Sequence, residues 1–225
     1  YNNFFEIMYT LVFSDRDGTI NLDKNFYLGS SSNWREQVSF LDGVVDGIKL
    51  INQIPNSRFF ILTNQSGVAL EGGNFDNLTF ERMHEVNRYI LDKLRDEEAL
   101  VDHYYACPFV DSNYVKKALE KGRRVDQKYI RENCLDLKPN IGMIEKALTD
   151  LNVKKEDCKI YMIGDRFSDV QMGLNIGGTG ILVESYKTRE LGDRQKVEQL
   201  KGDIFIAKDF LDAAKYIYNN SKNNI

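Results

Sequence analysis

The chain has 225 residues, of which 42% are hydrophobic and 28% charged, so it has the apolar content to bury a core of its own without disulfides or a structural metal. A formal net charge of -4 and a pI of about 5.4 argue against a nucleic-acid partner, which would need a basic face. Three widely spaced cysteines (Cys107, Cys134, Cys158) do not make a disulfide framework, and no apolar run is long enough to span a bilayer.

The elements follow in chain order. Tyr9 to Phe13 is a buried strand by composition, and Val44 to Ile54 has helical spacing. Arg58 to Leu62 is a second strand. From Phe80, residues Met83, Val86, Ile90, Leu91 and Leu94 repeat at the spacing of one helix face. Leu100 to Ala106 reads as a third strand. The charged stretch Pro108 to Asn133 breaks this rhythm and reads as a small insertion with one or two short helices. Ile141 to Leu151 is a helix with Pro139 near its start. Ile160 to Ile163, Gly180 to Val183 and Ile204 to Ala207 are further strands, with Gly177 and Gly178 in the turn before the second of them. A last helix runs to about Tyr218, and Asn219 to Ile225 is expected to fray.

Such β-α alternation predicts an α/β, Rossmann-like three-layer fold with a mostly parallel central sheet and helices on both faces. The whole chain, 1–225, reads as one domain with 108–133 inserted in it. Trp34 and Ser30 to Ser32 are expected in a flap loop. His84 and His103 have no partner motif and are not expected as ligands. The first thirteen residues lack a basic leader and a small-residue cleavage site, so a cytoplasmic monomer with no membrane partner is expected.

Ligands of open parallel sheets bind beyond the carboxyl ends of the strands. Asp15, Arg16, Asp17, Gly18 and Thr19 follow the first strand, and Thr63 to Gly67 the second. Gly164, Asp165, Arg166 and Asp169 follow the fourth, and Lys138 precedes Pro139. A lone Asp-x-Asp-Gly-Thr can be an ordinary strand-ending turn. Carboxylates gathered with Asp165 and Lys138 need more than that, because like charges repel unless a hard cation such as Mg²⁺ lies among them.

The chemistry suggested is phosphate-ester hydrolysis. Asp15 would attack phosphorus and form an aspartyl-phosphate. Asp15, Asp165 and the backbone carbonyl of Asp17 would hold Mg²⁺. Asp17 would protonate the leaving alkoxide and then activate water. Thr63 and the amides after it would cradle the phosphoryl oxygens, and Lys138 would stabilise developing charge. Asn64, Gln65, Ser66 and Arg166 complete the expected substrate-binding set. Competing readings are a phospho-acceptor signalling domain, which needs no second acid at Asp17, and a nucleic-acid-end phosphatase, which the acidic balance disfavours.

Four segments carry a resemblance: FSDRDGT (13–19), ILTNQSG (61–67), LKPNIGM (137–143) and MIGDRFSDV (162–170). In this order they resemble the haloacid dehalogenase-like phosphatases over about residues 10 to 185. DRDGTIN and NQSGVA are similar to the histidinol-phosphatase and heptose-bisphosphate phosphatase branch. The resemblance implies a fold without a large cap, with a sugar phosphate or histidinol phosphate as substrate. By the branch pattern, Asp23 to Phe26 would border the substrate entrance.

The sequence departs from that branch in three places. Its zinc loop retains only Cys107 and Cys134, with Phe109 and Asp136 where the other two ligands stand, so zinc is not expected. Leu137 precedes the motif lysine where arginine is common. Leu70 and Glu71 occupy the place of a basic residue that recognises the distal part of the substrate. The insertion offers Lys116, Lys117, Lys121, Arg123, Arg124 and Lys128 instead, although a charged helix face is ordinarily just solvated.

Overall fold

A computed structural model describes residues 8–24 and 27–222. Six strands form one sheet: β1 (Tyr9–Ser14), β2 (Ser57–Asn64), a fourth strand β4 (His103–Cys107), β6 (Cys158–Gly164), β7 (Thr179–Val183) and β8 (Ile204–Ala207). Two-residue strands β3 (Leu70–Glu71) and β5 (Arg124–Val125) pair with each other, antiparallel and apart from the sheet. The main sheet has the order β4-β2-β1-β6-β7-β8, and every pair in it is parallel.

The alternation of side chains along these strands builds two cores. On β1 and β2, Val12, Phe59 and Ile61 face one side, while Leu11, Phe13, Phe60 and Leu62 face the other. Both sets are apolar because helices cover both faces, as an all-parallel sheet requires. The first face carries α1 (Val44–Asn52), α2 (Phe80–Asp96) and α8 (Phe210–Lys222), through Ile48, Ile51, Ile90, Leu94, Phe210 and Ile217. The second carries α4 (Gly142–Leu151) and α5 (Phe167–Asn175), through Met143, Ile144, Ala147, Met172 and Ile176. The helix α2 begins where Thr79 caps it, its hydroxyl accepting from the Arg82 N–H at 3.1 Å.

Among the described residues between β1 and β2, a short 3₁₀ turn (Trp34–Gln37) and α1 are the only helical elements, so no large cap domain interrupts the fold. The segment 108–133 contains helix α3 (Ser112–Glu120), β5 and a 3₁₀ turn (Gln127–Tyr129). It is fastened to the body by the β3–β5 pairing, in which Glu71 lies opposite Arg124. Two short helices, α6 (Tyr186–Glu190) and α7 (Asp193–Glu198), complete the count between β7 and β8.

Some expectations need correction. Trp34 is not part of a solvent-facing flap: it is 1% exposed, in edge-to-face contact with Tyr89 and beneath the Arg35 guanidinium at 4.4 Å. An indole this large stabilises the body more when it joins the core than when it stays wet. The strand expected from Leu100 begins only at His103, because Leu100 is largely exposed and the pairing with β2 starts at Phe60 opposite His103. The last helix does not end at Tyr218 but continues to Lys222. Of the segment expected at the substrate entrance, Asn25 and Phe26 lie outside the described residues, as do residues 1–7 and 223–225.

Candidate active site

The three strands that end in the motif residues are neighbours, β2-β1-β6, at the middle of the sheet. Asp15 leaves β1 still in register, its N–H donating to the Ile163 carbonyl of β6 at 2.8 Å. Asp165 follows β6, and Asp169 follows within the first turn of α5. Carboxylate oxygens of Asp15, Asp165 and Asp169 all lie within 4.8 Å of one another, and all three residues are buried.

Backbone without side chains permits this crowding. A Cβ on Gly18, which has φ +87°, would meet Asp165 Oδ2 at 2.5 Å, and one on Gly164 would meet Asp169 Cβ at 2.2 Å. Lys138 enters the cluster from the segment ahead of α4. Its Nζ donates to Asp15 Oδ1 at 2.6 Å, to Asp169 Oδ1 at 2.6 Å and to the Leu62 carbonyl at 3.3 Å. Its backbone N–H donates to Asn64 Oδ1 at 3.3 Å.

One ammonium therefore faces three carboxylates. Burial, then the charges of Asp15 and Asp169, push the Asp165 carboxyl up to about 8. Burial likewise raises Asp169, to about 6, against the pull of Lys138. Burial opposes the charge on Lys138, but Asp15 and Asp169 outweigh it and hold the ammonium above its ordinary value. Ser185 donates to Asp165 Oδ2, and the Thr188 hydroxyl donates to the Asp165 carbonyl. Asp165 Oδ1 is buried without a hydrogen-bond partner. An orphaned carboxylate oxygen inside an over-negative oxygen cluster fits a hard divalent cation.

The other expected residues surround this cluster. Asp17 is held by Arg16 through two bonds, Nε to Oδ1 at 3.0 Å and Nη2 to Oδ2 at 2.7 Å. Arg16 itself is fully buried and anchored on Asn87 of α2 at 2.8 Å. Burial works to raise Asp17, but Arg16, with Gln65 and Lys187, holds its carboxyl below the usual range. Gln65 Nε2 donates to both Asp17 Oδ2 at 3.1 Å and Thr63 Oγ1 at 2.7 Å, joining the two motifs. Ser66 opens the 3₁₀ turn that follows Gln65. Arg166 is anchored on Asp193, its Nε donating to Oδ2 at 2.7 Å, while its backbone N–H donates to Asp169 Oδ2 at 3.1 Å. Cys107 and Cys134 bring their sulfurs to 3.9 Å, and burial pushes the Cys107 thiol up to about 12.

The sequence reading did not assign roles to several residues now found here. Asp169 was seen on the rim but was not among the expected metal ligands; its place four residues after Asp165 was the available signal. Arg16, Asn87, Ser185, Thr188 and the ion pair of Lys187 with Asp23 were also missed. The Lys187 pair joins the loop after β1 to α6, which follows β7, across 164 residues, and no local pattern announces it.

The charge balance has a measurable consequence. Asp165 and Asp169 hold protons in the metal-free fold that they release when unfolded, so metal-free stability falls as pH rises from about 4 towards 8. A divalent cation needs the ionised forms, so its affinity rises over the same window. The increase in melting temperature produced by a fixed Mg²⁺ concentration is therefore expected to be larger at pH 8 than at pH 5.5. An equal increase at both pH values would contradict these shifts.

A family model described as HAD-hydrolase-like matches residues 137–213. The D-glycero-beta-D-manno-heptose-1,7-bisphosphate 7-phosphatase of Escherichia coli K12 is 30% identical over 177 residues, covering 78% of this chain and 80% of that enzyme. A D-glycero-D-manno-heptose-1,7-bisphosphate 7-phosphatase of Chlorobaculum tepidum is 29% identical over 185 residues, 80% of this chain and 81% of that enzyme. Among solved structures, the D,D-heptose 1,7-bisphosphate phosphatase of B. bronchiseptica, complexed with magnesium and phosphate, superposes with a TM-score of 0.68 at 19% identity, over 94% of this chain and 99% of that one. A putative HAD-like phosphatase of Mesorhizobium loti superposes with a TM-score of 0.61 at 25% identity, over 84% and 86%.

Proposed function

The chain belongs to the haloacid dehalogenase-like phosphatases, in the heptose-bisphosphate phosphatase family, and we propose that it removes one phosphate from a sugar bisphosphate of the heptose type. The observation that carries the reading is the buried Lys138 ammonium, 2.6 Å from both Asp15 and Asp169 within a cluster of three carboxylates. That arrangement sets a nucleophilic carboxylate beside an ammonium at the carboxyl end of β1, where a phosphoryl group would bring its own negative charge.

Asp15 attacks phosphorus, the P–O bond to the sugar breaks, and an aspartyl-phosphate forms on Asp15. Lys138 offsets the charge on the phosphoryl oxygens as they crowd the site. Thr63, tied to Asp17 through Gln65, presents its hydroxyl to the same oxygens. Asp17 gives a proton to the departing alkoxide. In the second half, Asp17 takes a proton from water, and that water releases phosphate from Asp15. The Arg16 pair favours ionised Asp17, the form needed for this second step. The incoming phosphoryl charge favours the protonated form needed for the first.

Mg²⁺ would be held by Asp15, Asp165 and the Asp17 carbonyl, with Asp169 close by, and would supply neutralisation of phosphoryl charge. We read no zinc requirement into this chain, because Cys107 and Cys134 lack the other two ligands. Asn64 acts by positioning Lys138, and Arg166 by holding α5 through Asp193, rather than by direct substrate contact. The 1–225 chain is read as one domain with 108–133 inserted, acting as a cytoplasmic monomer. Among the described residues no helix is long and apolar enough to cross a membrane.

The test is phosphate release across heptose bisphosphate, other sugar phosphates, histidinol phosphate and nucleotides, with and without Mg²⁺. Strongest Mg²⁺-dependent release from the heptose bisphosphate is expected. Preference for histidinol phosphate or for nucleotides would overturn the substrate assignment.

A further inference from the structure

The insertion brings one cation against the loops that follow β1 and β2, and the mechanism above does not use it. Of its six candidate cations, Lys116, Lys117, Lys121, Arg124 and Lys128 are exposed, whereas Arg123 is half-buried. Its Nη1 donates to the Tyr27 hydroxyl at 2.8 Å. Its guanidinium lies 5.5 Å from the ring centres of both Tyr27 and Phe75, which meet edge to face at 5.0 Å. The Tyr27 ring lies against the second motif, since a Cβ on Gly67 would meet it at 2.6 Å.

Among the described residues, no carboxylate pairs with Arg123. A guanidinium drawn partly out of water and fixed by aromatic faces, with no counter-charge, is prepared for an external anion. The location suits the substrate. Tyr27 comes from the loop after β1, Ser66 and Phe75 from the loop after β2, and Arg123 from the insertion after β4. Ser66 is the residue after Gln65, whose amide bonds Asp17 at 3.1 Å. The β3–β5 pairing sets Arg124 and Val125, next to Arg123, against Glu71 and Leu70 of the loop after β2.

We propose that Arg123, with the Tyr27 hydroxyl, binds the distal phosphate of a sugar bisphosphate and so sets the preference for bisphosphates over monophosphates. This rests on the phosphatase reading and deepens it. Bidentate guanidinium–phosphate contact fixes the far end of the sugar while the near phosphate meets Asp15 and Lys138. The contact is the same in ground and transition states, so it acts on KM more than on kcat.

The experiment compares kcat/KM for a sugar bisphosphate, the matching monophosphate and 4-nitrophenyl phosphate, in the wild type and in Arg123→Ala and Arg123→Lys. Removing hydrogen bonds to a charged group is expected to lower kcat/KM on the bisphosphate by about 10- to 100-fold in Arg123→Ala, mainly through KM. Activity on 4-nitrophenyl phosphate should stay within about twofold, since it lacks a distal group. Arg123→Lys keeps the charge and the insertion's packing, and should show a smaller loss with the same selectivity. It serves as the reading if the alanine variant melts early. Equal losses on all three substrates, or no loss on the bisphosphate, would overturn the inference. So would a wild type that hydrolyses 4-nitrophenyl phosphate but does not prefer the bisphosphate, and that result would leave the phosphatase reading standing. A wild type inactive on all three would overturn both.

Discussion

Asp15→Asn is expected to abolish turnover, by at least about 10⁴-fold in kcat on every substrate, because a neutral amide replaces the nucleophile. The substitution preserves volume, so the site keeps its shape. Its effect on stability should be small, because two contributions oppose each other. Asp15 is one of three carboxylates crowded within 4.8 Å, and its charge helps to raise the Asp165 and Asp169 carboxyls. Removing that charge lessens the repulsion, at the cost of one of the two ion pairs of Lys138. In chelator, melting at pH 8 is therefore expected to be little changed, while kcat disappears. Loss of turnover together with early melting would mean a general structural failure and not loss of a nucleophile. Retention of kcat within tenfold would remove Asp15 from the reaction.

The strands and long helices were legible because each is written twice, in composition and in period. On β1, Leu11 and Phe13 enter one core and Val12 the other, so a wholly apolar run with a sheet covered on both faces is the only consistent reading. The rim residues Asp15, Thr63 and Asp165 were legible for a related reason. They sit at strand ends, and the topology rule assigns strand ends to the ligand. The residues that serve them were not legible in this way. Arg16 looks like any motif filler until its burial and its bond to Asn87, 71 residues away, show that it fixes Asp17. Lys187 and Asp23 meet only because β7 and β1 end on the same edge. Trp34 misled for the same reason, since a lone aromatic amid serines carries no period, and only tertiary packing decides that it is buried. The insertion was legible as an interruption but not as a segment docked on the loop after β2, because the β3–β5 pairing that docks it is two residues long.

Lys138→Ala should be the most informative loss, since the same ammonium supports both fold and chemistry. It is the only cation with hydrogen bonds to the carboxylate cluster among the described residues, at 2.6 Å from two of its members. Breaking a buried ion pair by deleting one partner ordinarily costs about 3–5 kcal/mol, because the partner's charge is left uncompensated. Here the cost is bounded by protonation. Asp169 already sits near 6 with the lysine present, and without it the carboxyl rises further. An acid raised in the folded state loses stability as pH rises through its folded pKa, so the deficit of the variant should be small near pH 4 and grow towards pH 8. Added Mg²⁺ should recover part of it, because a cation among the carboxylates answers the same excess of negative charge. Turnover should not recover with it: a fall of about 10²- to 10³-fold in kcat is expected to persist at saturating Mg²⁺, since the ammonium offsets charge that develops on the phosphoryl oxygens. Melting curves with and without Mg²⁺ across this pH range, set beside kcat at saturation, separate the two roles. A stability deficit independent of pH would mean that Lys138 acts by packing its aliphatic stem and not by its charge.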